Sequence, residues 1–258
     1  MISATGKLNL PYQNTKKTMN KNAQEKLLKI VRQNYTEIVH EFNETRKKRL
    51  SASWEEVIKF AKTVPDGATV LDLGCGNGRL LQAFSGRDIN YLGIDFIPEI
   101  INYAKADHGA NKKVKFIVGD ILELDKIREL AGQEFNYIFS VAVLHHVPGE
   151  ELRLKFLTDA KKYLKPEAKV FLTNWNFWPQ KKFWPYLIDN WIKKLASQYE
   201  YDFGDILFPW KGVNTVSLRY YHAFTKCELK KIAKKSGLRV KKIYKDKYNY
   251  YLLAGKKP

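Results

Sequence analysis

Val70-Leu71-Asp72-Leu73 is a short apolar run that carries one acid and breaks into three alternating glycines, Gly74, Gly76 and Gly78. Glycine at such points lets the backbone bend sharply or meet a ligand closely. About twenty residues on, Tyr91-Leu92-Gly93-Ile94-Asp95 ends a second apolar run in a carboxylate, where a nucleoside-binding α/β fold grips a ribose diol. No Gly-Lys-Ser/Thr follows the glycines, which disfavours phosphate-loop chemistry. Their spacing also departs from the G-x-G-x-x-G of dinucleotide sites. Asp72 suits a ligand with a cationic amino-acid end better than one with phosphates. Val118-Gly119-Asp120-Ile121 adds a third carboxylate. Ser140-Val141-Ala142-Val143-Leu144-His145-His146 adds two adjacent histidines, which serve either structure or chemistry. Nothing supplies further metal ligands at a recognisable spacing, so no metal site is expected.

The elements that must position these groups alternate. Thr69 to Leu73, Tyr91 to Asp95, Lys115 to Val118, Asn136 to Val141 and Lys169 to Asn174 read as buried strands. Helices are expected at Arg79 to Phe84, Pro98 to Ala106, Asp125 to Ala131 and Pro148 to Leu164, with proline at a first turn in the second of these. This is an α/β, doubly wound, mostly parallel sheet of Rossmann-like kind, whose ligands gather at the carboxyl ends of the strands. Before it, Leu27, Leu28, Val31, Tyr35, Ile38, Val39 and Phe42 recur at helical spacing from Ala23 to Lys48, and a second helix runs from Trp54 to Thr63. After it, Thr225 with Glu228 forms a capping box for a helix from Lys226 to Ser236 that Gly237 ends. Arg239 to Tyr244 and Tyr248 to Leu253 form a closing antiparallel hairpin.

At 258 residues the chain reads as one domain with extensions. Residues 1–22 are a basic, flexible arm, and 23–258 the domain proper, with 23–64 lying over the cleft. No apolar run reaches the ~20 residues of a spanning helix, and Met1 to Asn20 holds no secretory leader. Cys75 and Cys227 offer neither a disulfide framework nor a metal quartet, which points to a soluble, reducing, cytoplasmic setting. The net charge of +18 exceeds what solubility requires. Such a surface attracts polyanions, nucleic acid first and anionic membrane second, although a lysine-rich proteome would give the same balance.

Residues 175–224 break the alternation. Rings crowd this stretch, from Trp175, Phe177 and Trp178 through Trp184, Trp191, Tyr199 and Phe203 to Tyr220 and Tyr221. Lys181, Lys182, Lys193, Lys194 and Lys211 lie among them. An insertion of this length is a lid or a binding element. Rings that stack on unpaired bases beside lysines on phosphates would hold single-stranded RNA, whereas rings packed on one another would make a lid with its own core.

Asp72 to Gly78, Gly93 to Asp95, Val118 to Asp120 and Phe139 to His146, in that order, resemble the class I S-adenosylmethionine-dependent methyltransferases. The resemblance implies S-adenosyl-L-methionine as cofactor, held by Asp72, Gly74, Cys75, Gly76, Gly78, Asp95, Phe96, Asp120, Ile121 and Val141. Tyr35 through Phe42 to Thr45-Arg46, Ser140 to His146, Trp175 and Arg219-Tyr220-Tyr221-His222-Ala223-Phe224 resemble one branch more narrowly. Its members methylate the carboxyl of 5-carboxymethyluridine at the wobble position of tRNA. That branch implies tRNA as substrate and a small zinc-binding activator subunit as partner. It also implies Arg46, His145 and His146 as catalytic candidates, and Arg46, Trp175, Arg219, Tyr220 and His222 as substrate contacts. Arg46 is equally readable as a surface arginine beside Lys47, Lys48 and Arg49. A carboxylate is already ionised at neutral pH, so its methylation asks for alignment and a cation more than for a base. Two alternatives stay open: a small-molecule or quinone-precursor acceptor, and a binding protein with an idle cofactor cleft.

Overall fold

The computed structural model describes residues 19–47, 50–196, 200–211 and 216–256. Most of the expected arm (1–18), Lys48, Arg49 and Tyr199 lie outside them.

Two helices open the chain, α1 (Lys21–Glu37) and α2 (Val39–Lys47), followed by α3 (Glu55–Ala61). Where the periodicity predicts one helix from Ala23 to Lys48, the backbone turns at Ile38, whose buried side chain anchors the corner. Asn20 caps α1 by accepting from the Ala23 amide at 2.8 Å. The alternating core comes next: β1 (Thr69–Leu73), β2 (Asn90–Asp95), α4 (Pro98–His108), β3 (Val114–Val118), β4 (Phe135–Val141), α5 (Glu150–Lys162) and β5 (Leu164–Trp175). Two expected helices are tighter than predicted. Arg79–Phe84 is a 3-10 helix, and residues 124–130 hold two single 3-10 turns. Both segments are too short to gain from α-helical propagation.

The insertion folds into α6 (Trp184–Leu195) and a separate antiparallel hairpin, β6 (Asp205–Lys211) with β7 (Val216–His222). Then come α7 (Lys226–Lys235), β8 (Leu238–Lys245) and β9 (Asn249–Lys256). The Thr225 hydroxyl caps α7 at the Glu228 amide, 3.2 Å away. The large sheet has the order β3-β2-β1-β4-β5-β9-β8, in which β9 slots antiparallel between β5 and β8. The remaining neighbours pair in parallel.

The two sheet faces bury different sets, and β1 shows why. Leu71 and Leu73 join one cluster with Ile138, Phe156, Leu172 and Leu229. Val70 joins the other with Tyr91, Phe139 and Phe171. Period-two alternation thus gives a strand that is apolar on both faces, as a doubly covered parallel strand must be. Most insertion rings also turn inward. Phe177, Phe183 and Tyr221 form a buried cluster against which Trp175, Trp178, Tyr186 and Phe208 pack. Trp184, Trp191 and Phe203 remain exposed.

Candidate active site

The carboxyl ends of β1, β2 and β4 open into one cavity of about 490 Å3, roofed by α1 and α2 and walled by the start of the insertion. That volume is right for a small cofactor with part of an acceptor. Gly74, Gly76 and Gly78 all hold positive φ (+80°, +54° and +78°), so the turn after β1 needs glycine at each. Added Cβ atoms would strike Val143 at Gly74, and at Gly78 would come 2.8 Å from Phe116. At Gly76 the Cβ would lie 3.4 Å from the ring of Phe42, so α2 rests directly on the glycine turn. A buried bond from Asn77 Nδ2 to Asn43 Oδ1 (2.9 Å) pins the two together.

Asp95 faces this turn. Its Oδ2 accepts from the Gly76 amide at 2.9 Å and its Oδ1 from the Ile97 amide at 3.2 Å. Burial pushes its pKa up and these amides partly offset that. Each oxygen keeps a lone pair for a diol. Asp120 Oδ1 accepts from the Leu122 amide at 2.9 Å, and its outer oxygen pairs with Arg32 of α1, whose guanidinium also lies 5.3 Å from the Phe96 ring centroid. Gly74, Cys75, Gly76, Asp95, Phe96, Asp120, Ile121 and Val141 therefore all line the cavity.

A family model described as a methyltransferase domain matches residues 65–237. The chain belongs to this family. It is an S-adenosylmethionine-dependent methyltransferase. The Schizosaccharomyces pombe tRNA (carboxymethyluridine(34)-5-O)-methyltransferase is 26% identical over 241 residues, covering 88% of this chain and 96% of that protein. The Saccharomyces cerevisiae enzyme of the same name is 31% identical over 153 residues, 59% of this chain and 50% of that protein, so this chain spans half its length. Among solved structures, a Burkholderia thailandensis 1,6-didemethyltoxoflavin-N1-methyltransferase with bound S-adenosylhomocysteine has a TM-score of 0.64 at 16% identity, covering 92% of this chain and 91% of its own. A putative methyltransferase complexed with the Haloferax volcanii Trm112 methyltransferase activator has a TM-score of 0.58 at 15% identity, with coverages of 87% and 96%.

The cleft of this methyltransferase fits S-adenosyl-L-methionine on its own geometry: a positive-φ glycine turn, a carboxylate at the end of β2 and another after β3. Asp72 and Gly78, expected as cofactor contacts, do not line the cavity. Alternation along β1 turns Asp72 toward Tyr91, whose hydroxyl donates to its Oδ2 at 2.6 Å. Burial raises the Asp72 pKa to about 7 against the pull of that bond. Gly78 is buried beneath the turn, where it admits Phe116 and His108.

Arg46, His145 and His146 come together in the cleft with Trp175. His146 is held at both nitrogens, by the Tyr35 hydroxyl at Nε2 (2.8 Å) and the Tyr220 carbonyl at Nδ1 (3.2 Å). A carbonyl only accepts, so Nδ1 carries the hydrogen and Nε2 accepts from Tyr35. Burial, with help from the charge of Arg219, lowers the His146 pKa to about 3. His145 is fully buried; its Nδ1 accepts from the Trp175 amide at 3.4 Å, which leaves hydrogen on Nε2. Burial and the two neighbouring imidazoles hold its pKa well below the usual value. Both histidines are therefore neutral, and neither is a cation for a substrate carboxylate.

Three expected substrate contacts lie outside the cavity. Tyr220 is buried and spans Asp205 Oδ1 (2.8 Å) and Arg153 Nη2 (3.1 Å). His222 bridges Asp205 and Glu228, 2.7 Å from each. Arg219 stacks 4.3 Å from the Trp210 centroid and donates to Asn34 Oδ1 at 3.1 Å, joining β7 to α1. These residues build the wall behind His146. Arg32, Tyr35, Asn77 and Arg79 line the cleft as well. Tyr35 was legible as a helix-stripe residue and as the start of a segment that resembles one branch of the family, Arg79 only as the first residue of the helix expected after the glycines, and nothing in the sequence marks Arg32.

Proposed function

We propose that this methyltransferase acts on tRNA in the cytoplasm and esterifies a 5-carboxymethyl group on the wobble uridine. The observation that carries the reading is the pair of cleft histidines, His146 held at both nitrogens by Tyr35 and Tyr220 and His145 fully buried, an enclosure that keeps both imidazoles weakly basic. Such a cleft takes a proton from an acceptor poorly, so it suits an oxygen that arrives ionised. The names of the yeast relatives support the carboxyl chemistry and the RNA class, and the two free cysteines fit a reducing compartment.

The cofactor supplies an electrophilic methyl on its sulfonium. The chain's own residues do the rest. Asp95 binds a ribose diol, Asp120 and Ile121 meet an adenine edge, and the glycine turn admits the amino-acid end. His146 holds the Tyr35 hydroxyl in the cleft wall, Trp175 offers a face to a base, and Arg46 supplies the cation a carboxylate requires. A Trm112-like activator is the proposed partner, drawn from the fold neighbour solved with one.

One observation favours a second reading, a small-molecule or quinone-precursor acceptor: the insertion turns most of its rings inward. Assay of the purified chain, with and without such an activator, separates the two. Turnover on carboxymethyl-bearing tRNA and none on uridine lacking the carboxyl supports the proposal. Turnover on a small aromatic acid without RNA refutes it.

A further inference from the structure

Residues 246–248 turn the chain from β8 into β9 at the rim of the cleft. Tyr248 lines the cavity and is nonetheless 43% exposed. Single exposed rings are ordinary on a protein surface, but the backbone under this one is fixed. Asp246 Oδ1 accepts from the amides of Tyr248 and Asn249, each at 2.6 Å, and its Oδ2 from the Tyr251 hydroxyl at 2.7 Å. The Tyr248 carbonyl accepts from the Asn176 amide at 2.7 Å. With both backbone groups engaged, the ring is presented already ordered, and a partner that stacks on it does not have to immobilise the turn.

Two ammonium groups share the rim. Lys182, from the short 3-10 turn Lys181–Phe183, lines the same cavity, and Lys247 Nζ lies 5.6 Å from the Tyr248 ring centroid. Among the described residues neither lysine joins an ion pair, and the acid of the turn, Asp246, already accepts three hydrogen bonds. Trp175 pairs in register with Asn249, so Tyr248 follows one residue away from the partner of the other cleft ring. Two rings on neighbouring strands, with lysines beside the outer one, match a single strand in which each base brings its own phosphate. A small aromatic acid, with one ring and one anion, would leave the outer ring and its lysines unmatched.

We propose that Tyr248, Lys182 and Lys247 form a second nucleotide subsite at the cleft mouth, which stacks the base beside the methylated one and holds the phosphate between them. The proposal rests on the RNA reading of the same cleft and adds the residues that grip the strand rather than the target group.

Fluorescence anisotropy with labelled anticodon stem-loop RNA, on the chain alone and with the activator, tests it at equilibrium. Y248A should weaken the RNA by roughly tenfold while Y248F stays within about twofold of wild type, since stacking uses the ring and not the hydroxyl. S-adenosylhomocysteine affinity should not move in either. An abasic site on one side of the target should cost wild type a similar factor and Y248A nothing further. K182Q and K247Q should each lower the slope of log affinity against log salt by roughly 0.7, the single-strand value per phosphate. Wild-type affinity in Y248A overturns the subsite, as do penalties that add at both flanking positions and unchanged slopes in both lysine variants. So does a wild type that binds no RNA in either form. Binding is read without turnover, so RNA that binds as predicted but takes no base-labile methyl refutes the carboxyl chemistry and leaves the subsite standing.

Discussion

Asp95 shows what a single side chain must do here, since it faces both the backbone of the glycine turn and the cavity in which the proposed ribose would lie. Asp95→Ala should weaken S-adenosyl-L-methionine binding by roughly 1.5–3 kcal/mol, the range for hydrogen bonds to a charged group; wild-type affinity in a titration would move the ribose elsewhere. His146 makes a prediction with a definite sign. Its folded pKa, about 3, lies below the ordinary 6.5. The stability it contributes is therefore full above pH 6.5 and is lost as pH falls from 6.5 toward 3, by up to ~1.4 kcal/mol per pH unit. His222 opposes this: burial and Arg153 work against its charge, but Glu228 and Asp205 outweigh them and raise its pKa. Its share is present below 6.5 and fades as pH rises through the raised value. Urea unfolding of His146→Gln should accordingly show a shallower acid loss than wild type, and an unchanged slope would contradict the buried, neutral assignment. Ala142, at φ +60° after β4, is a non-glycine residue in left-handed backbone. Ala142→Gly should raise stability by about 0.4–1 kcal/mol, read as a shift in the urea midpoint.

Elements divide into those legible in the sequence and those hidden from it. The strands from β1 to β5 were legible because their apolar runs are short and bounded by glycine, acid or proline, and the glycine turn because glycine alone adopts its φ values without steric cost. The break between α1 and α2 was not, since helical spacing continues through Ile38 and the corner is set by tertiary burial. The insertion's rings were visible but their direction was not. Composition cannot distinguish a ring that stacks on a base from Phe177 packed against Tyr221. For the same reason Tyr220 and His222 read as substrate contacts, although they belong to a buried network around Arg153, which is fully enclosed and pairs with Asp202 and Asp205. That network ties α5 to the hairpin of β6 and β7, and through the Tyr220 carbonyl it holds His146. Arg153→Ala would leave buried acids without their cation. It should cost about 3–5 kcal/mol in urea unfolding, whereas a loss comparable to a surface substitution would show that the network does not hold the hairpin.

On the scale of the whole molecule, the basic balance and the cleft make one argument. A net charge of +18 is spread over a chain in which no helix among the described residues is long and apolar enough to cross a membrane. If tRNA is the substrate, raising salt from about 50 to 200 mM should weaken its binding by roughly tenfold or more through counterion return to the RNA; salt-independent binding would mean that the charge serves something else. The measurement that bears most directly on the central claim uses methyl-labelled S-adenosyl-L-methionine and tRNA whose wobble uridines carry free carboxymethyl groups, with the activator present. Label that enters the tRNA and is released by mild base is the expected result, because a methyl ester hydrolyses there. Base-stable label would place the methyl on a nitrogen, a carbon or a ribose, and would contradict the carboxyl chemistry.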